Sequence, residues 1–148
     1  MFYVTEVVEI ARPIEEVFAF IVDARNRGRW DTSVISEEQT SPGPVGVGTT
    51  LSSVMSVMGR EVAFDWRVSH FDAPRRMTIE STAGPMATGL TFTLSKASGV
   101  TRLGATLEGE PSGMMRFVEP MIADGVRANL AGGLERMRAV LEAEGSPA

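Results

Sequence analysis

The feature of the sequence that most constrains the fold is a single helical segment near its end, from Gly113 to Glu144. Apolar or small residues recur in it at intervals of three or four, which places one stripe on one side of a helix: Val126, Leu130, Gly133, Met137 and Leu141. Most of the preceding chain alternates with the two-residue period of β-strands. Because a lone apolar stripe must be covered, we expect a sheet curved around this helix.

Alternation of apolar and polar residues predicts about seven strands, and it is clearest where Val62, Phe64, Trp66 and Val68 share one face. The connections among the later strands are short, which favours an antiparallel meander. Two short helices, Ile14–Ile21 and Asp23–Asp31, are predicted after the first strand, so the fold class is α+β. The predicted strands are Tyr3–Ala11, Val34–Thr40, Thr49–Met58, Glu61–Phe71, Arg76–Thr82, Thr88–Lys96 and Thr101–Glu110.

Proline and glycine mark the long terminal helix in two ways. Pro120 predicts either a kink near Glu119 or a helix that begins there after a looser segment. Gly125, Gly132 and Gly133 lie inside the helix, where each glycine costs about 1 kcal/mol relative to alanine. They indicate a need for close packing or for free volume, and the sequence leaves both alternatives open.

Composition excludes several classes of function. The chain has 148 residues, the size of one domain over 1–148, and its net charge of −5 disfavours binding to nucleic acid. It has no cysteine and a single histidine, so a metal site built from thiolates or several histidines is excluded. No signal peptide is recognisable, and the longest apolar run, Val17–Val22, is too short for stable membrane insertion. A cytoplasmic protein is expected.

Three stretches in order along the chain carry a family resemblance: EIARPIEEVFAFIVDARNRGRW, then VSHFDAPRRMTIES followed by GPM, then GVTRLGATLEGEPSGMMRFVEPMI. Together they resemble the START and polyketide-cyclase superfamily, whose members share the helix-grip fold. The resemblance implies a strongly bent antiparallel sheet that grips the carboxy-terminal helix, with an elongated cavity between them. The superfamily includes lipid carriers, hormone binders, polyketide cyclases, quinone-binding proteins and chaperone co-factors, so the resemblance specifies the fold better than the function.

Inward-facing side chains of the predicted sheet and helix are the candidate ligand-binding residues. Spacing alone is also compatible with a filled core, whereas the resemblance and the nine methionines favour a cavity. Asn129 is a candidate to orient a ligand carbonyl or hydroxyl. The predicted ligand-binding residues are Leu51, Met55, Phe64, Trp66, Met77, Ile79, Phe92, Met121, Gly125 and Asn129.

Charged residues supply few candidates for chemistry. Glu6 falls on the apolar face of the first strand and is interpreted as the one carboxylate with a potential to be buried. Arg25, Arg27 and Arg29 form a small basic cluster near Trp30 that could bind a phosphate or carboxylate head group at the cavity rim, although the default interpretation is solvated surface. No pair of nucleophile and base is recognisable.

The leading hypothesis is therefore non-covalent binding, as a carrier or sensor, of a small hydrophobic or aromatic molecule such as a lipid, polyketide or quinone-like compound. No cofactor or catalytic residue is predicted, and the protein is expected to be a monomer or homodimer. The alternative is a polyketide cyclase or dehydrase that uses Glu6, Asn129 and Arg116. A third hypothesis, an interaction module like the chaperone co-factors, needs an apolar outer sheet face. The outward residues Glu61, Asp65, Arg67, Glu80 and Glu108 argue against it.

Overall fold

The fold is a seven-stranded antiparallel sheet with a long helix at the carboxy-terminal end of the chain. The computed structural model describes residues 1–145 of the 148. The strands are β1 (Phe2–Ile10), β2 (Val34–Gln39), β3 (Thr50–Val57), β4 (Arg60–Asp72), β5 (Arg76–Ala83), β6 (Ala87–Ala97) and β7 (Val100–Glu110). Their order in the sheet is β1-β7-β6-β5-β4-β3-β2, so the first two strands of the chain form its two edges. This is the helix-grip architecture.

Alternating burial along the strands confirms the predicted inner face. In β4, Phe64, Trp66 and Val68 are buried while Asp65 and Arg67 are exposed. The turn between β3 and β4 is tight, because Met58 and Gly59 both adopt positive φ angles of 51° and 79°. The meander from β3 to β7 thus presents one continuous apolar surface.

Short helices connect β1 to β2, and the long helix ends the described chain. They are α1 (Ile14–Val22), a 3₁₀ segment (Ala24–Asn26), α2 (Arg27–Trp30), a second 3₁₀ segment (Gly113–Val118) and α3 (Glu119–Glu144). Pro120 lies in the first turn of α3, where a missing N–H is tolerated. Of the two alternatives for Pro120, the structure shows the helix beginning there. The α-helix therefore starts six residues later than Gly113, the start of the predicted helical segment.

The long helix packs mainly against β1 at one edge of the sheet and against α2. Its predicted stripe faces inward, with Leu130, Met137 and Leu141 buried and Val126 half-buried. Val4, Val8 and Ile10 of β1 belong to the same core. Because α3 is held along one side of the sheet, the sheet from β3 to β7 is left free to line a space beside the helix.

Two of the three helical glycines are explained, one by close packing and one by free volume. A Cβ atom on Gly133 would lie 3.1 Å from both the carbonyl oxygen and Cε3 of Trp30, so close packing of α3 against α2 explains this glycine. A Cβ atom on Gly125 would meet nothing within 4 Å, so this glycine borders free volume. A Cβ atom on Gly132 would have only Arg136 Nη2 near it, at 4.0 Å, so neither close packing nor free volume explains this glycine.

These two environments predict opposite outcomes for the same substitution. Gly125→Ala should stabilise the protein by about 1 kcal/mol, because it raises helix propensity without a new contact. Gly133→Ala should lose that gain, because its methyl group displaces Trp30. Urea unfolding of both variants measures the difference. Equal stabilisation by the two substitutions would contradict this account of Gly133.

Candidate functional site

A cavity of about 290 Å³ lies between α3, α2 and the inner face of the sheet. Its walls are mainly apolar, and this volume is close to the lower end of the usual range for small-molecule sites, about 300 Å³. The lining residues are Arg27, Trp30, Asp31, Ser33, Met55, Ser56, Val57, Met58, Phe64, Trp66, Met86, Thr88, Leu90, Leu107, Met121, Ile122, Gly125, Val126, Asn129 and Leu130.

Six of the ten predicted ligand-binding residues line this cavity: Met55, Phe64, Trp66, Met121, Gly125 and Asn129. The other four, Leu51, Met77, Ile79 and Phe92, surround a separate void of about 20 Å³, which has room for about one water molecule. Trp30 and Arg27 border both spaces and form the partition between them. The inner face is therefore divided into a filled core and an open chamber.

The cavity reaches solvent beside the turn between β3 and β4. Met58 from that turn and Met121 from the first turns of α3 both line it, and they are 63% and 65% exposed. Along α3 the lining stripe runs from Met121 through Gly125 to Asn129. With a rise of about 1.5 Å per residue, this stripe spans about 12 Å of helix axis. This length accommodates a molecule of two fused rings.

Two stacked aromatic rings form one wall of the cavity. The rings of Phe64 and Trp66 have centroids 5.0 Å apart and are nearly parallel. The Trp66 indole N–H donates to Ser53 Oγ at 2.7 Å, so its polar atom is already satisfied. Gly84 lies against Phe64 with a φ of +150°, and a Cβ there would come within 2.5 Å of the ring. The chain thus admits no side chain at this turn, and the Phe64 ring occupies the space.

A polar cluster of Arg27, Asp31, Ser33 and Asn129 forms one end of the cavity. Asp31 Oδ1 accepts hydrogen bonds from Ser33 N at 3.0 Å, Ser33 Oγ at 2.6 Å and Asn129 Nδ2 at 3.0 Å. Asp31 Oδ2 accepts from Arg27 Nε at 3.1 Å and Nη2 at 2.9 Å. Asp31 therefore connects α2, the start of β2 and α3 through one carboxylate.

The structure corrects the interpretation of Arg27 as solvated surface, since Arg27 is only 8% exposed. Its guanidinium lies 5.0 Å from the centre of the Trp30 ring and pairs with Asp31. Its Nη1 atom lies 3.8 Å from Glu37 Oε1, and the Glu37 side chain is 6% exposed. Glu6 is therefore not the only candidate for a buried carboxylate, because the side chains of Asp31 and Glu37 are only 7% and 6% exposed.

Burial and charge move the pKa values of the two buried carboxyl groups in opposite directions. Burial acts to raise the pKa of Asp31, but the charge of Arg27 and the hydrogen bonds from Ser33, Asn129 and Arg27 outweigh it, so the pKa is lowered. For Glu37, burial raises the pKa, the Arg27 charge opposes this only in part, and the Asp31 charge adds to it. Asp31 already neutralises Arg27, which leaves Glu37 as an excess buried negative charge.

The three residues named for the alternative enzyme hypothesis are not brought together. Glu6 is half-buried on the inner face of β1 and is not among the residues that line the cavity, and Arg116 is exposed and also outside it. Only Asn129 lines the cavity. Sequence interpretation missed Asp31 and Ser33, although the D-x-S spacing is typical of a turn in which the aspartate binds the backbone two residues later.

The outer sheet face is polar where the sequence predicted it. Glu61, Asp65, Arg67 and Glu80 are exposed, and Glu108 is half-buried. Among the helices of residues 1–145, none combines the length and apolar character needed to cross a bilayer.

The raised pKa of Glu37 predicts a specific pH dependence of stability. The unfolded chain releases this proton near the ordinary pKa of 4.5, whereas the folded protein releases it at higher pH. The contribution of Glu37 to stability is therefore present below pH 4.5 and is lost as the pH rises through the folded pKa. Relative to Glu37→Gln, the wild type should become less stable between pH 4 and pH 7, by about 1.4 kcal/mol for each unit by which the pKa is raised.

Urea unfolding of both proteins at the two pH values measures this difference. Glu38→Gln, an exposed neighbour on the same strand, controls for the loss of one carboxylate. A stability difference between wild type and Glu37→Gln that stays constant with pH would contradict the assignment.

Comparison with known proteins agrees with this architecture. The family described as polyketide cyclase / dehydrase and lipid transport matches residues 1–142. The structure of a protein from Thermus thermophilus, TTHA0849, is similar with a TM-score of 0.85 and 19% identity, covering 98% of this chain and 100% of that one. A START superfamily protein from Mycobacterium smegmatis is similar with a TM-score of 0.81 and 15% identity, covering 95% and 97% of the two chains.

A third similar structure is the di-domain ARO/CYC BexL from the BE-7585A biosynthetic pathway, with a TM-score of 0.79 and 14% identity. The similarity covers 99% of this chain and 48% of that one. No curated protein gives a significant match to this chain. At these identities the structural likenesses establish the fold alone, whereas the match over residues 1–142 establishes the family. The resemblance seen in the sequence is thereby confirmed, and the chain belongs to the family of polyketide cyclases, dehydrases and lipid transport proteins.

Proposed function

We propose that the protein binds a small hydrophobic or aromatic molecule, of the size of two fused rings, in the cavity beside α3. The observation that carries the proposal is the cavity itself: about 290 Å³, open at Met58 and Met121, and walled by methionine, leucine and stacked aromatic rings. Transfer of apolar surface from water to such walls is worth about 25 cal/mol per Å². Methionine side chains adapt to ligands of different shape, which suits a carrier or sensor.

The polar cluster supports binding more than catalysis. A general base works best with a pKa near the operating pH, whereas the surroundings of Asp31 lower its pKa. Both of its oxygens are also engaged by protein donors. Asn129 is an amide and does not exchange protons with a substrate. The cluster is thus built to hold a fixed arrangement of polar atoms.

A cyclase or dehydrase remains the second candidate, because family membership and the likeness to an ARO/CYC di-domain protein both favour it. Such an enzyme would convert a β-hydroxyketone into an enone with loss of water. Absorbance of the enone detects this turnover directly. We expect binding of the β-hydroxyketone without its conversion, and conversion by the wild type would establish the enzyme instead.

Gly125→Leu provides the test of the binding site. Because no atom lies within 4 Å of a Cβ at this position, the leucine side chain should project into the cavity and fill part of it. Fluorescence titration with N-phenyl-1-naphthylamine, an uncharged apolar probe, should show binding by the wild type and at least about tenfold weaker binding by Gly125→Leu, a loss of about 1.4 kcal/mol.

The matched control is Ala128→Leu, an exposed position on the same helix that does not line the cavity. It should bind the probe like the wild type. Native mass spectrometry of freshly purified protein adds an independent search for a retained molecule. If the wild type binds no probe and retains no molecule, or if both leucine variants behave alike, the proposed site is wrong.

A further inference from the structure

In the polar cluster, most hydrogen-bond donors have partners, whereas several acceptors have free lone pairs. Asp31 is acceptor-only in its ionised form, and it draws in the donors around it. Ser33 Oγ–H, the Asn129 amide nitrogen and two of the three Arg27 nitrogens all point at this carboxylate. These donors are therefore occupied by Asp31, whereas Arg27 Nη1 is not among them.

The acceptors of the cluster are not occupied to the same extent. Since Asn129 Nδ2 faces the carboxylate, its Oδ1 atom faces away and accepts one hydrogen bond, from the exposed Thr32 hydroxyl at 3.3 Å. Ser33 Oγ donates to Asp31 and accepts only a long 3.3 Å bond from Asn129. Lone pairs thus remain on both oxygens, and both residues line the cavity.

Other polar groups of the cavity follow the same pattern. Thr88 Oγ1 donates to Met86 O at 2.9 Å, which leaves its lone pairs available. The Trp66 indole N–H is taken by Ser53. Arg27 is an exception, because its Nη1 atom lies 3.8 Å from Glu37 Oε1, beyond hydrogen-bond distance, and Arg27 lines both the cavity and the small void. The Trp30 indole N–H is a further donor among the lining residues.

We propose that the polar cluster makes the cavity selective for apolar molecules that end in a hydrogen-bond donor, such as a phenol or alcohol, over matched molecules that end in an ether, ketone or carboxylate. A hydroxyl placed beside Ser33 Oγ or Asn129 Oδ1 donates to an oxygen whose only accepted hydrogen bond is 3.3 Å long. An ether in the same place leaves these oxygens unpaired after it displaces water, which is unfavourable. A carboxylate also lacks the donor, and it loses its hydration on entering a cavity with mainly apolar walls. The inference rests on the proposed function and adds to it the class of ligand.

The experiment compares four compounds that differ only in the substituent on one ring: 2-naphthol, 2-methoxynaphthalene, 2-acetylnaphthalene and 2-naphthoate. Isothermal titration calorimetry of the wild-type protein at pH 7 measures each dissociation constant. We expect 2-naphthol to bind at least tenfold tighter than the other three, because each of them lacks the donor.

Three variants locate the selectivity. Asn129→Leu and Ser33→Ala each remove one acceptor. Each should bring the ratio of the dissociation constant of 2-methoxynaphthalene to that of 2-naphthol closer to one. Thr32→Val is the matched control, because it removes the exposed hydroxyl that shares Asn129 Oδ1 and leaves that acceptor in place. It should keep the wild-type ratio or raise it.

The outcomes separate this inference from the proposed function. If all four compounds bind equally, or if 2-acetylnaphthalene or 2-naphthoate binds most tightly through a donor such as the Trp30 N–H or Arg27 Nη1, the selectivity is wrong while the binding function stands. If the protein binds N-phenyl-1-naphthylamine but none of the four compounds, the selectivity is likewise wrong while the binding function stands. If neither the probe nor the four compounds bind, the proposed function itself fails. The wild-type series alone decides the matter if a variant does not fold.

Discussion

Asp31 is the residue on which the geometry of the cavity depends. Its carboxylate joins the end of α2 to Ser33 at the entry of β2 and to Asn129 on α3. A buried carboxylate is tolerated only when it is fully paired, and here the Arg27 guanidinium supplies the charge while the other donors complete the hydrogen bonding. Because α3 is attached at this point and along β1, the helix is held away from the middle of the sheet and the space between them stays open.

Prediction from the sequence succeeded where burial follows a local pattern. The alternation in β4 and the stripe on α3 each repeat over enough residues to identify the inner face, and the ordered motifs identified the family. The same patterns could not separate cavity from core, since Met55 and Leu51 alternate inward on the same strand. What separates them is the placement of Trp30 and Arg27, which depends on contacts distant in sequence.

The buried charges were missed for a related physical reason. DARNRGRWD is a charged segment in a chain with ample surface, and such segments usually lie in solvent. Arg27 is buried because Asp31 one turn later and Glu37 on β2 both approach it, and Trp30 covers its face. The i,i+4 spacing of Arg27 and Asp31 was visible in the sequence, whereas the approach of Glu37 and Asn129 depends on the tertiary fold.

The partition formed by Trp30 and Arg27 sets the depth of the cavity and therefore the size of the ligand that it accepts. These two side chains separate the chamber from the void ringed by Leu51, Ile79 and Phe92, and they contribute to neither the mouth nor the stacked wall of Phe64 and Trp66. A smaller residue in place of Trp30 would merge the two spaces and lengthen the chamber inward. Depth and entrance are therefore separable properties of this cavity, each controlled by its own residues.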